Sequence, residues 1–167
     1  FYRALLFIYL NRHGFNGLCR YNRSGCFNVP FGQIAKPYFP EREIEIFSER
    51  SQNVQFKLQS FTDTFTEVRP GDVIYCDPPY VPLSITSKFS SYSVEQFGYK
   101  EQLMLTKIAE SASRLGNHVL ISNHDTSLSK GLYAKATIYE IHVSRTISCN
   151  SKNRKPAMEL IAHFEPK

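Results

Sequence analysis

The stretch that most constrains this chain is Asp72-Val73-Ile74-Tyr75-Cys76-Asp77-Pro78-Pro79-Tyr80. A short apolar run, Val73 to Cys76, is cut off by an acid, two prolines and a tyrosine. The run reads as a short buried strand. It cannot continue, because Pro79 has no N–H to donate and Pro78 biases Asp77 toward extended geometry. The expected result is a rigid elbow at a strand end, offering a carboxylate, a prolyl carbonyl and an aromatic face. In open α/β sheets such strand ends are where ligands bind.

That set suits methylation of an exocyclic amine on a planar base. The amine is a poor nucleophile, because its lone pair is delocalised into the ring. A carboxylate and a backbone carbonyl can each accept one of its N–H bonds, which favours a more pyramidal nitrogen with its lone pair aimed at a methyl donor. An aromatic ring can stack on a base taken out of a duplex. Asp77, the Pro78 carbonyl and Tyr80 fill these roles in this reading. An ordinary strand end followed by a proline turn is the plainer alternative.

The 167 residues suffice to bury a core. No apolar run is long enough to span a membrane, and Phe1-Tyr2-Arg3 opens an amphipathic stretch rather than a secretory leader. The only methionines are Met104 and Met158, so the chain reads as the later part of a longer protein. Cys19, Cys26, Cys76 and Cys149 show no Cys-x-x-Cys spacing and the five histidines are scattered, which argues against a zinc site and for free thiols in a reducing cytoplasm. The net charge is +5, and its distribution says more than its size. Phe1 to Pro40 carries Arg3, Arg12, Arg20, Arg23 and Lys36 with no acid. His142 to Met158 carries Arg145, Lys152, Arg154 and Lys155, again with no acid. Two acid-free basic stretches form a plausible footprint for nucleic acid.

Phe1 to Leu10 is apolar nearly all round and reads as a buried helix. Next comes a segment rich in glycine, asparagine and proline. Arg23-Ser24-Gly25 is a hairpin-turn signal between expected strands Leu18–Asn22 and Cys26–Val29. Such a ribbon can enter a major groove, with Arg20 placed to read a guanine. Pro40 to Ser51 reads as an amphipathic helix and Val54 to Leu58 as a strand. Val81 to Gly98, rich in serine and threonine, is a lid candidate. Tyr99 to Leu115 is an amphipathic helix with Leu103, Ile108, Ala109, Ala112 and Leu115 on its apolar side. His118 to Ser122 is a strand ending in Asn123-His124-Asp125, so a right-handed parallel crossover brings Asn123 to the sheet edge of Asp77. His124 reads as a turn or cap residue ahead of a catalytic one. A short helix at Ser127–Ala134 and strands at Ala136–Ser144 and Ala157–Phe164 complete the pattern. The basic loop between those strands, Arg145 to Pro156, suits phosphate contact.

At this point the residues resemble the Dam-type DNA adenine-N6 methyltransferases. The resemblance is carried by Asn-Gly-Leu-Cys-Arg-Tyr-Asn (16–22), Phe-Asn-Val-Pro-Phe-Gly (27–32), Lys-Pro-Tyr-Phe-Pro (36–40), Tyr-Cys-Asp-Pro-Pro-Tyr (75–80), Pro-Leu-Ser (82–84) and Ile-Ser-Asn-His-Asp-Thr (121–126). It implies a Rossmann-like α/β methyltransferase sheet with an inserted hairpin and helical DNA-recognition segment. The recognition part covers 1–53 and the catalytic part 54–167. It implies S-adenosylmethionine as cofactor, duplex DNA with GATC-type sites as partner, and a monomer in solution. Asp77, Pro78 and Tyr80 match the catalytic elbow. Ser60 and Phe61, with Asp77, match the cofactor-lining positions. Arg20 matches the guanine-reading arginine, Leu18 and Pro30 match apolar base contacts, and Phe15 and Asn16 match the pair that wedges into DNA. Asn28, Arg145 and Asn150 match backbone supports.

Three departures from the family pattern matter. Phe15 stands where tyrosine is frequent. Gln33-Ile34-Ala35 replaces a more basic, aromatic segment, which implies fewer phosphate contacts and a shallower salt dependence. The family's glycine-rich cofactor loop is absent, since the chain has no Gly-x-Gly. Two other readings follow from the same residues: a DNA-binding remnant without catalysis, and a methyltransferase acting on RNA adenine or protein glutamine.

Overall fold

The computed structural model describes residues 1–22, 24–82, 97–143 and 157–167. The chain divides into two compact units, Phe1–Lys57 and Leu58–Lys167.

The first unit holds helix α1 (Tyr2–His13), a 3-10 turn (Phe15–Gly17), helix α2 (Glu41–Arg50) and a second 3-10 turn (Ser51–Asn53). The expected first helix forms, but none of its residues is buried. Apolar side chains cover it on every side, and within this unit Leu5, Leu6, Phe7 and Tyr9 stay about half exposed. The expected strands at 18–22 and 26–29 do not form. The pairing there is one bridge, Tyr21 with Phe27, flanked by backbone bonds from Asn22 N–H to the Cys26 carbonyl and from Asn28 N–H to the Arg20 carbonyl. The physical reason lies in Asn22, whose side-chain oxygen accepts from the N–H groups of Ser24 (3.0 Å) and Cys26 (2.9 Å). A side chain that takes backbone donors in this way competes with a strand ladder. Val54–Leu58 is not a strand either: Val54, Phe56 and Leu58 are all exposed, and among the described residues no strand pairs with them.

The second unit is a four-stranded sheet with helices. It contains α3 (Phe61–Thr66), β1 (Val73–Cys76), α4 (Tyr99–Arg114), β2 (His118–His124), α5 (Ser127–Leu132), β3 (Thr137–Val143) and β4 (Ala157–Phe164), with strand order β1-β2-β4-β3. β1 and β2 run parallel, joined through α4, and the β2–β4 and β3–β4 pairs are antiparallel. The sheet is therefore mixed, in an α/β unit. Its core is formed by Leu105, Ala109 and Ala112 of α4, Val119 and Ile121 of β2, Leu160, Ala162 and Phe164 of β4, and Tyr133.

Two expectations are corrected here. β1 has the expected bounds but is not buried: it lies at the sheet edge, where Val73 is 70 % and Tyr75 60 % exposed. α4 buries Ala109 and Ala112 of the expected stripe, but the rest of its inward face differs. Its buried residues are Gln102, Leu105, Thr106, Ala109, Ala112 and Ser113, while Leu115 is exposed. Three of these are polar, and each is satisfied where it lies. Thr106 donates to the Gln102 carbonyl, Ser113 donates to the Glu110 carbonyl, and Gln102 joins a buried cluster described below.

Candidate active site

The elbow begins where β1 ends. Cys76 pairs with Ile121 in the parallel register, so the next step along each strand sets Asp77 beside Ser122. Ser122 Oγ donates to Asp77 Oδ1 at 2.8 Å, with the Cys76 carbonyl at 3.3 Å as a second, weaker acceptor. Pro78 is buried, which anchors the turn, while Asp77 stays exposed.

The far side of the elbow is fastened by a buried amide cluster. Asn123 is 0 % exposed. Its Oδ1 accepts from the backbone N–H of Val81 (2.9 Å) and of His124 (2.9 Å). Its Nδ2 donates to Tyr133 Oη (2.9 Å) and to Gln102 Oε1 (3.3 Å). Gln102 Nε2 in turn donates to the Pro79 carbonyl at 2.7 Å. Among the described residues no buried side-chain nitrogen or oxygen lacks a partner. A buried polar cluster in this state is rigid.

Tyr80 is held from two directions. Its ring meets His124 edge-on, with centroids 4.9 Å apart at 82°. Its hydroxyl makes a long contact of 3.4 Å with Glu159 Oε2, because the β2–β4 register pairs His124 with Glu159. Burial, reinforced by the carboxylates of Glu159 and Asp77, raises the Tyr80 phenol above its ordinary range although Ser122 opposes the shift, so the ring stays neutral. His124 Nδ1 lies 2.7 Å from the Val81 carbonyl. A carbonyl only accepts, so Nδ1 carries the proton. His124 thus sits at the end of β2 and braces the elbow. Cys76, one residue upstream, is pushed up to about 11 by burial and is inert as a nucleophile.

Ser60 caps α3, its hydroxyl accepting from the Asp63 N–H at 3.1 Å. Phe61 meets Phe97 edge-on at 5.6 Å, just ahead of α4. Gln102 is in the first turn of α4, so the start of this helix meets both Phe61, through Phe97, and the elbow.

The expected reading residues lie in the first unit. Phe15 N–H donates to the Pro30 carbonyl at 2.9 Å, and Leu18 N–H donates to the Phe15 carbonyl at 3.1 Å. Asn16 adopts a left-handed backbone (φ 53°), which asparagine tolerates, and Gly17 follows at φ 66°. Phe15, Asn16, Leu18 and Pro30 are thereby gathered on one tight, exposed turn. Arg20 Nε donates to Asn28 Oδ1 and Nη2 donates to the Asn28 carbonyl, both at 3.0 Å. The guanidinium is fixed by Asn28 in the manner of a fork before any ligand arrives. Arg145, Asn150 and most of the expected lid, 83–96, lie outside the described residues.

Sequence reasoning did not assign Ser122, Gln102 or Tyr133 to the site. The signal was present in two of them: Ser122 follows the apolar run of β2 with a buried polar residue, and Gln102 begins the buried stripe Leu105, Ala109, Ala112 with an amide.

The model of the D12 class N6 adenine-specific DNA methyltransferases matches residues 1–147. A protein named DNA adenine methylase from Vibrio cholerae serotype O1 is 49% identical over 166 residues, covering 99% of this chain and 60% of the relative. Its namesake from Escherichia coli strain K12 is 48% identical over the same extent. That of Serratia marcescens is 48% identical over 163 residues, 97% of this chain and 60% of the relative. The chain thus spans about 60% of the length of these relatives. With an acid-Pro-Pro-Tyr elbow held at the end of a parallel strand pair, the chain belongs to the D12 class N6 adenine-specific DNA methyltransferase family.

Proposed function

We propose that the protein to which this chain belongs transfers a methyl group from S-adenosylmethionine to N6 of an adenine flipped out of duplex DNA, at GATC-type sites. The observation that carries this reading is the elbow: Asp77 is held by Ser122, the next turn is fastened at the Pro79 carbonyl by Gln102, and the Tyr80 ring is held against His124. Asp77 and the Pro78 carbonyl take the amine's N–H bonds and aim its lone pair, and Tyr80 stacks on the flipped base. Transfer is direct and in line, with no covalent enzyme intermediate.

The residues on this chain fit part of a cofactor site. The exposed Asp77 carboxylate suits an ammonium group, and the half-buried Phe61 ring, beside Ser60, suits a flat base. S-adenosylmethionine bound there supplies an electrophilic methyl group. In the first unit, the braced Arg20 reads a guanine, Leu18 and Pro30 touch bases, Phe15 and Asn16 wedge into the gap, and Asn28, Arg145 and Asn150 support the backbone. Residues 1–53 form the reading part and 54–167 the catalytic part of a Rossmann-like methyltransferase sheet. Free thiols at Cys19, Cys26 and Cys76 fit a monomeric enzyme in a reducing cytoplasm.

The test is methyl transfer from labelled S-adenosylmethionine to a GATC duplex and to a scrambled duplex, run on this chain and on the full gene product. Transfer to the GATC duplex alone supports the reading. Transfer to both duplexes removes the site-reading role of the first unit. Specific binding without transfer in either preparation turns the reading into one of DNA binding alone.

A further inference from the structure

This inference rests on the proposed methyl transfer and concerns residues that no part of that reading uses. The Asp77 carboxylate and the carbonyls of Pro78 and Pro79 supply four of the oxygen atoms at the elbow. Two of them are occupied by the protein. Ser122 Oγ holds Asp77 Oδ1 at 2.8 Å, and Gln102 Nε2 holds the Pro79 carbonyl at 2.7 Å. Among the described residues no donor takes Asp77 Oδ2 or the Pro78 carbonyl.

The two occupying side chains are themselves fixed. Ser122 is 4 % and Gln102 2 % exposed, so neither can exchange its partner for bulk water. The Gln102 amide cannot turn over. Its oxygen faces two donors, Tyr133 Oη at 3.2 Å and Asn123 Nδ2 at 3.3 Å, while its nitrogen faces a carbonyl. A flipped amide would set donor against donor and acceptor against acceptor, all of them buried.

We propose that Ser122 and Gln102 are positioning residues: by engaging Asp77 Oδ1 and the Pro79 carbonyl, they leave Asp77 Oδ2 and the Pro78 carbonyl as the acceptor pair presented to the amine. Without the Ser122 hydroxyl the carboxylate is free to rotate about its bond to Cβ. Without the Gln102 amide the Pro79 carbonyl competes for the amine and the peptide plane ahead of Tyr80 loosens. Either change shifts an acceptor by a fraction of an ångström to an ångström. Misplacement on that scale costs about a hundredfold in a positioned reaction.

The experiment uses the full gene product and measures the single-turnover rate of methyl transfer at saturating duplex and S-adenosylmethionine. It also measures KM and affinity for the duplex. Ser122→Ala is expected to lower the rate by about 10- to 100-fold. Duplex affinity should stay within about twofold, since Arg20, Leu18 and Pro30, proposed to read the duplex, lie in the first unit and Ser122 in the second. Ser122→Thr, which keeps the hydroxyl, is expected to recover most of the rate. Gln102→Leu is expected to lower the rate similarly, with melting used to check that it folds; if it does not fold, the Ser122 pair decides. A parent-like rate in folded Ser122→Ala overturns the inference while the proposed function stands. So does a loss in Ser122→Ala that Ser122→Thr shares in full. A parent protein that methylates no duplex overturns both.

Discussion

Replacing Asn123 by alanine tests whether one buried amide fastens the elbow to the sheet. Asn123 makes four hydrogen bonds, two as acceptor and two as donor. Alanine fits the strand but orphans the N–H group of Val81, itself 1 % exposed, and removes one acceptor of the His124 N–H. Tyr133 and Gln102 remain bonded to each other, so the donor side of the loss is small. An orphaned buried donor costs roughly 1–3 kcal/mol, and the Val81 N–H sets the expected loss near about 2–3 kcal/mol. Tyr133→Phe is the internal control. It removes one hydroxyl while Asn123 and Gln102 keep each other, and should cost about 1 kcal/mol. Because the chain has two compact units, a single unfolding transition is a poor readout. Urea unfolding should be paired with hydrogen exchange at the Val81 and His124 amides, whose protection reports the local bond. A loss below about 1 kcal/mol, or no larger than that of Tyr133→Phe, would refute the assignment of Asn123 as the fastening.

Asp77→Ala should abolish methyl transfer while duplex binding survives; a binding assay showing both lost would instead indicate misfolding. Arg20→Ala should cost about 1–3 kcal/mol of discrimination at one base pair in a randomised-site assay. Asn28→Ala should give a smaller loss at that same pair, because Arg20 keeps its charge but loses its brace; an unaltered site preference in both variants would sink the reading role. Burial holds the Cys76 thiol at about 11 against an ordinary 9.0, so the folded state favours the protonated form. That contribution to stability is complete below about pH 9 and is lost as pH rises through about 11. Melting temperatures of parent and Cys76→Ala should therefore converge over this window, and parallel curves would contradict it.

Much of the second unit could be read from residue order. β1 and β4 have the bounds that their apolar runs indicate, Val73–Cys76 and Ala157–Phe164, because prolines stop the first and the apolar run of the second begins just after Pro156. The meeting of Asp77 with the end of β2 follows from strand, helix and strand in succession. Beyond Ala109 and Ala112, the inward face of α4 was not legible, because apolarity and burial part company there. Thr106 and Ser113 hide their hydroxyls on carbonyls of their own helix and pack as small side chains, while Leu115 points outward. The role of Gln102 needs the elbow in three dimensions, since its acceptor is 23 residues away in the chain. In the first unit a turn signal at 23–25 suggested two strands, but it could not show that Asn22 would take the donors a ladder requires.

The exposed edge of β1 has a consequence for handling the chain. Among the described residues, one side of Val73-Ile74-Tyr75-Cys76 meets no strand, and two of its side chains are largely in water. Unpaired strand edges with apolar side chains template pairing between molecules. Four residues make a short template, so association should be weak, concentration-dependent and reversible at first. A lysine in place of Val73, four residues before Asp77 and 70 % exposed, would blunt it at the start of the strand, a substitution worth making before this chain is handled at high concentration.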